Sequence, residues 1–65
     1  MNRLKELRKN KGLTLKDIQK QTGIKRSTYS DYENEKTEPN IKTLIALADY
    51  FNVSIDYLVG RTGDE

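Results

Sequence analysis

Residues 14–33 read TLKDIQKQTGIKRSTYSDYE, and the punctuation within them governs what the rest of the chain must be. Thr14, followed three residues later by Asp17, has the spacing of a capping box, in which hydroxyl and carboxylate each satisfy the other residue's backbone N–H. It opens a helix whose inner side is Leu15 and Ile18. Gly23 closes that helix, because glycine enters the left-handed region without a Cβ penalty. One residue, Ile24, then separates the stop from a further helix near Lys25. So short a turn holds two helices at a steep angle, which predicts a helix-turn-helix.

The second of these helices, expected over residues 25–33, is two-sided. At about 100° per residue, Tyr29 and Tyr32 fall together on one side, while Arg26, Ser27, Ser30 and Asp31 fan over the opposite ~140°. Exposed helix faces are usually filled with Glu and Lys, which are long and favour the helix. A face of serines is poor for helicity and good for close approach to another surface.

Working outward, residues 3–11 form a helix behind Asn2 with Leu4 and Leu7 as a narrow apolar stripe and Gly12 as its stop. A polar stretch, residues 34–40, carries the single proline, Pro39. Asn40 caps a helix over residues 41–51 whose stripe is Ile41, Leu44, Ile45, Leu47 and Ala48. Asn52 stops it, Ser54 caps a short last helix with Ile55, Leu58 and Val59, and Gly60 ends that one. The expected organisation is all-α, with one domain over residues 1–60 and a flexible tail over residues 61–65.

Composition narrows the chemistry. Apolar residues together with glycine number 22 of 65, well below the roughly 45–50% of ordinary globular domains. So small a body presents a surface more readily than a deep pocket. Cysteine and histidine are both absent. Their absence excludes disulfides, thiol nucleophiles, Cys/His zinc sites and the commonest general base. Asp31, Glu33 and Glu35 have the alternate spacing of a calcium loop, but Lys36 and Lys42 stand where that loop needs Gly and Glu. No enzyme activity, metal or cofactor is expected. The longest apolar run is the five residues from Leu44 to Ala48, against about 20 for a membrane helix. The expected setting is the cytoplasm, away from membranes.

Charge is distributed unevenly. Residues 1–26 hold nine Lys and Arg against Glu6 and Asp17, a balance of +7, whereas residues 27–65 carry −5. One basic face for a polyanion and an acidic or neutral remainder follow from that asymmetry.

The run GLTLKDIQKQTGIKRSTYSDYENEKTEPNIKTLIALADYFNVSIDYLVG, residues 12–60, resembles the phage repressor and Cro family, the xenobiotic-response-element type. The pieces carrying the likeness are Gly-Leu-Thr, Gly-Ile, Tyr-Glu-Asn and Leu-Ala-x-x-Phe-Asn-Val-Ser. The resemblance implies a compact five-helix, lambda-repressor-like DNA-binding domain, with helix 3 in the major groove of double-stranded DNA and two copies on a palindromic operator. It implies base contacts from Arg26, Ser27, Ser30 and Asp31. For Arg26, a bidentate bond to guanine and a simple phosphate contact both stay open. It further implies phosphate contacts from Thr14, Lys25, Thr28, Asn34, Lys36 and Asn40, and a pair between Arg8 and Glu33 across helices 1 and 3. Ile55, Tyr57 and Val59 are the expected surface of a weak homodimer. The resemblance implies a sequence-specific transcriptional regulator of phage or bacterial type, expected to act at the nucleoid.

Several residues depart from the family pattern. Leu15 stands where a phosphate-binding glutamine is usual, Gln19 where a small alanine lets helices 2 and 3 pack, and Tyr29 where an aliphatic residue sits. Lys25 replaces a Ser or Thr cap, and lysine cannot accept the capping bond. Glu35 replaces a glycine, so a left-handed backbone there is strained. Asp31 brings negative charge to the face meant for DNA. These departures motivate a second reading, an anti-repressor or antitoxin-like module that grips a protein partner.

Overall fold

The computed structural model describes residues 2–61. Five helices follow one another, α1 (Leu4–Asn10), α2 (Leu15–Thr22), α3 (Arg26–Glu33), α4 (Ile41–Phe51) and α5 (Ile55–Leu58), with no strand among the described residues. Of the expected tail, residues 62–65 lie outside the described part. Arg61 is still tied in, its N–H donating to the Asp56 carbonyl at 2.8 Å.

Each helix start has an identifiable acceptor. Before α1, the Asn2 Oδ1 accepts from the Leu4 N–H at 3.1 Å, although Arg3 occupies the N-cap position itself. The capping box of α2 is complete, with Asp17 N–H to Thr14 Oγ1 at 3.1 Å and Thr14 N–H to Asp17 Oδ2 at 2.9 Å. Asn40 and Ser54 accept from the Thr43 and Tyr57 N–H groups, opening α4 and α5. The stops of α2 and α4 are left-handed, Gly23 at φ 80° and Asn52 at φ 57°.

Leu4, Leu7, Ile18, Tyr29, Leu47, Phe51 and Leu58 form one core drawn from all five helices. Its chain ends are sewn together. Arg3 donates its N–H to Leu58 O at 2.9 Å and a guanidinium N–H to Tyr57 O at 2.6 Å, so α1 and α5 close the bundle. The apolar stripe expected on α4 needs correction. Leu47 and Ala48 are buried and Leu44 half-buried, but Ile41 is 66% and Ile45 48% exposed. Those five positions span about 160° of the helix, wider than the side of a helix that a small bundle covers. Burial centres on Leu47 and Phe51, leaving the Ile41–Ile45 edge outside.

The capping box carries a pH signature. The Asp17 carboxyl lies below its ordinary pKa, first through the Thr14 backbone N–H and then its hydroxyl, aided by Lys20 and Lys16. A depressed folded pKa stabilises fully above the unfolded value, about 3.9, and the contribution disappears as pH falls through the folded value. Asp17→Asn is therefore expected to lower the thermal midpoint near neutral pH, with the gap to the parent chain closing on acidification below about 3.9. Thermal unfolding followed by circular dichroism at both pH values checks this. A gap independent of pH would contradict it.

Candidate nucleic-acid interface

The inner side of α3 is aromatic, as the wheel predicts. Tyr29 is fully buried and donates its hydroxyl to the Leu4 carbonyl at 3.0 Å. Burial pushes that phenol well above its ordinary pKa, so it remains a neutral donor. Tyr32 is half-buried, and its carbonyl accepts from the Asn2 amide at 2.8 Å. Helix α3 packs on both α2 and α1.

Its C-terminal end is clamped by charge. Arg8 donates from Nε to Glu33 Oε2 at 2.6 Å and from Nη2 to Oε1 at 3.3 Å, while its Nη1 reaches the Leu13 carbonyl at 2.9 Å. These side chains are 13% and 5% exposed. The hydrogen bond to Glu33 raises the Arg8 pKa, burial opposing it, so the guanidinium stays charged. One pair thus ties α1, the α1–α2 turn and α3 together, and it neutralises Glu33.

The N-terminal end of α3 has a cap that the local sequence does not reveal. Lys25 makes no side-chain capping bond. Instead Gln19, from α2, accepts the Arg26 backbone N–H on its Oε1 at 3.0 Å. The large residue in place of alanine therefore supplies the acceptor that Lys25 lacks. The side chains of Lys16, Gln19, Lys20 and Arg26 line one open hollow between the two helices. Lys16 and Lys20 were not singled out by the sequence reading. Their signal is that Lys16, Gln19 and Lys20 share a helix face at i, i+3 and i+4.

On the outer side of α3, Arg26 and Ser27 are exposed, while Ser30 and Asp31 are half-buried. The Asn34 amide donates to the Ser30 carbonyl at 2.9 Å and lies 3.4 Å from its hydroxyl. That hydroxyl acts as acceptor toward Asn34, which leaves its proton to donate outward. Thr28 is half-buried. Thr14 and Asn40 spend acceptor oxygens on helix caps, and each keeps a donor, the Thr14 hydroxyl and the Asn40 amide. Lys25 and Lys36 are exposed. After α3 the chain turns through Glu35 at φ 58°, a left-handed conformation in a residue with a Cβ, so the strain conditional on that backbone applies here. The turn is closed by the Lys36 N–H on the Asp31 carbonyl at 2.9 Å, which fixes where Lys36 and Asn34 stand relative to α3.

Leu15, in place of the usual glutamine, is half-buried and packs against the core. At the far end, Ile55, Tyr57 and Val59 are all half-buried. One face of the Tyr57 ring lies under the Arg3 guanidinium, 4.3 Å from the ring centroid. No described helix is long and apolar enough to cross a membrane.

The chain matches the helix-turn-helix family over residues 4–58. It is 40% identical over 62 residues to the uncharacterized HTH-type transcriptional regulator YobD of Bacillus subtilis, covering 95% of this chain and 55% of YobD. It is 39% identical over 59 residues to the HTH-type transcriptional regulator ImmR of the same organism, covering 91% of this chain and 46% of ImmR. To the B. subtilis HTH-type transcriptional regulator AnsR it is 41% identical over 61 residues, 94% of this chain and 53% of AnsR. The chain thus spans about half the length of these curated relatives. No solved structure matches it significantly. These relatives are regulators rather than enzymes. With the capped α2–turn–α3 unit and a match over nearly its whole length, the chain belongs to the Cro/C1-type helix-turn-helix family.

Proposed function

We propose that the chain is the sequence-specific DNA-binding module of a transcriptional regulator, laying α3 in the major groove of double-stranded DNA. The observation that carries this reading is the outer side of α3, short polar residues behind Arg26, next to the basic hollow of Lys16 and Lys20. Arg26, Ser27, Ser30 and Asp31 are the candidates for base edges. Arginine donates in pairs to guanine and aspartate accepts from cytosine N4. Thr14, Lys25, Thr28, Asn34, Lys36 and Asn40 are the candidates for phosphates. Operators with two half-sites call for two copies. The proposed setting is the cytoplasm, at the nucleoid.

Selection of bound duplexes from a random library, at about 0.05 and 0.2 M salt, tests the reading, because neutralised phosphates release counterions. An enriched two-fold motif that survives the higher salt is the expected result. Arg26→Ala is expected to lose about 1–3 kcal/mol of discrimination at one base pair. Lys36→Ala is expected to weaken all duplexes alike and reduce the salt slope by about one. Titrating both variants against the selected and a scrambled duplex separates the two effects. Unchanged binding in both would refute the assigned face.

A protein-binding reading is favoured by one feature, the negative Asp31 on the outer side of α3 beside an α2 start without a phosphate-binding glutamine. It predicts no enriched duplex and co-purification with a protein partner.

A further inference from the structure

Helix α4 has an outer stripe for which the bundle has no use. Among the described residues, Ile41 and Ile45 are the exposed large apolar side chains, and Lys42, Ala46 and Asp49 beside them are also exposed. At about 100° per residue these five positions occupy one ~140° sector. Lys42 and Asp49 run along its middle, the isoleucines along one edge and Ala46 along the other. Neither Lys42 nor Asp49 makes an ion pair with another described residue.

We infer that this stripe is a self-pairing surface, and that its occupant is α4 of a second copy of the chain, antiparallel to the first. A two-fold interface must be complementary to itself, and this one is. Reversing the helix about a point between Ile45 and Ala46 sets Lys42 opposite the partner's Asp49 and Asp49 opposite the partner's Lys42. The same reversal brings Ile45 beside the partner's Ile45 at the axis, with Ile41 continuing that apolar edge. It also sets Ala46 against the partner's Ala46, where small side chains let the helices approach. A parallel pairing would set lysine against lysine and aspartate against aspartate. The apolar edge supplies attraction, and the two crossed ion pairs fix direction and register. The inference deepens the two-copy part of the proposed function by naming its surface, in place of the half-buried Ile55, Tyr57 and Val59. Its test involves no DNA, so it stands or falls independently of operator binding.

The test is sedimentation equilibrium of the full chain up to about 1 mM, the weak end of specific association. The parent chain is expected to dimerise reversibly in that range. Lys42→Asp and Asp49→Lys, each of which sets like charges opposite one another twice, are each expected to weaken the dimer about tenfold. The double reversal Lys42→Asp/Asp49→Lys restores both crossed pairs and is expected to return the dimer to within about threefold of the parent. Ile45→Asp is expected to weaken it about a hundredfold or more, by placing carboxylates at the axis. All these positions are exposed, and circular dichroism verifies that each variant stays folded. A monomeric parent chain, a double reversal no better than the single ones, or a dimer that ignores Ile45→Asp and yields to Val59→Lys would each overturn the inference.

Discussion

Glu33→Ala is expected to cost about 3–5 kcal/mol, because it leaves the Arg8 guanidinium largely buried with its counter-charge gone. Arg8 is 13% exposed and Glu33 5%, so water does little to screen either charge once alone. A chain of 65 residues has a total stability of about 3–10 kcal/mol at ordinary per-residue values. The single variant should therefore sit at the edge of unfolding at 25 °C. Arg8→Ala is expected to act alike, stranding Glu33 and removing the bond to the Leu13 carbonyl. The double replacement Arg8→Met/Glu33→Leu separates charge from packing. Well-packed apolar pairs commonly match or exceed a buried ion pair, so the double variant should regain most of the loss. Urea unfolding of the parent chain, both single variants and the double variant checks all of this together. A single-variant loss below about 1 kcal/mol, the range of exposed pairs, would mean that the pair is solvated and does not hold α3 to α1.

Much of this was legible in the chain. Thr14, Asn40 and Ser54 announce their helices because a cap is local, its acceptor lying within three residues of its donor. Gly23 and Asn52 announce stops for the same reason. The two-sidedness of α3 was equally legible, since periodicity needs only the helix itself. The unread features are those supplied from elsewhere in the fold. Nothing around Lys25 shows how α3 begins, because the acceptor comes from Gln19, seven residues upstream on another helix. Lys16 and Lys20 counted only toward the basic excess of residues 1–26, and it is the turn that brings them next to Arg26. On α4, periodicity identified an apolar stripe but not which edge the bundle would leave bare. That edge depends on how much of the helix α5 and the core can cover, a property of the packed molecule.

Tyr29 is where the fold and the proposed reading surface meet, and Tyr29→Ala is expected to cost about 3–5 kcal/mol. It is the one fully buried residue of α3, a helix whose other positions are mainly short, polar and weak helix formers. With serines and a threonine lowering its intrinsic helicity, α3 depends on its docking, through Tyr29 at mid-helix and Glu33 at the end. Truncating the ring empties the space between α1, α2 and α3, and the helix should detach ahead of the rest of the bundle. Tyr29→Phe keeps the ring and removes only the hydroxyl bond to the Leu4 carbonyl, an expected cost of about 0.5–1.5 kcal/mol. Amide hydrogen exchange reads the difference. Protection in α3 should collapse in the alanine variant while α4 keeps more of its own, whereas the phenylalanine variant should lose protection modestly and evenly. DNA affinity should follow the same order, the alanine variant failing even at low salt because its reading helix is undocked. Equal losses for the two variants would mean that the hydroxyl, rather than the ring, positions α3. A uniform collapse in the alanine variant would mean that α3 has no local stability distinct from the bundle, so that its presentation to a groove is set by the whole core at once.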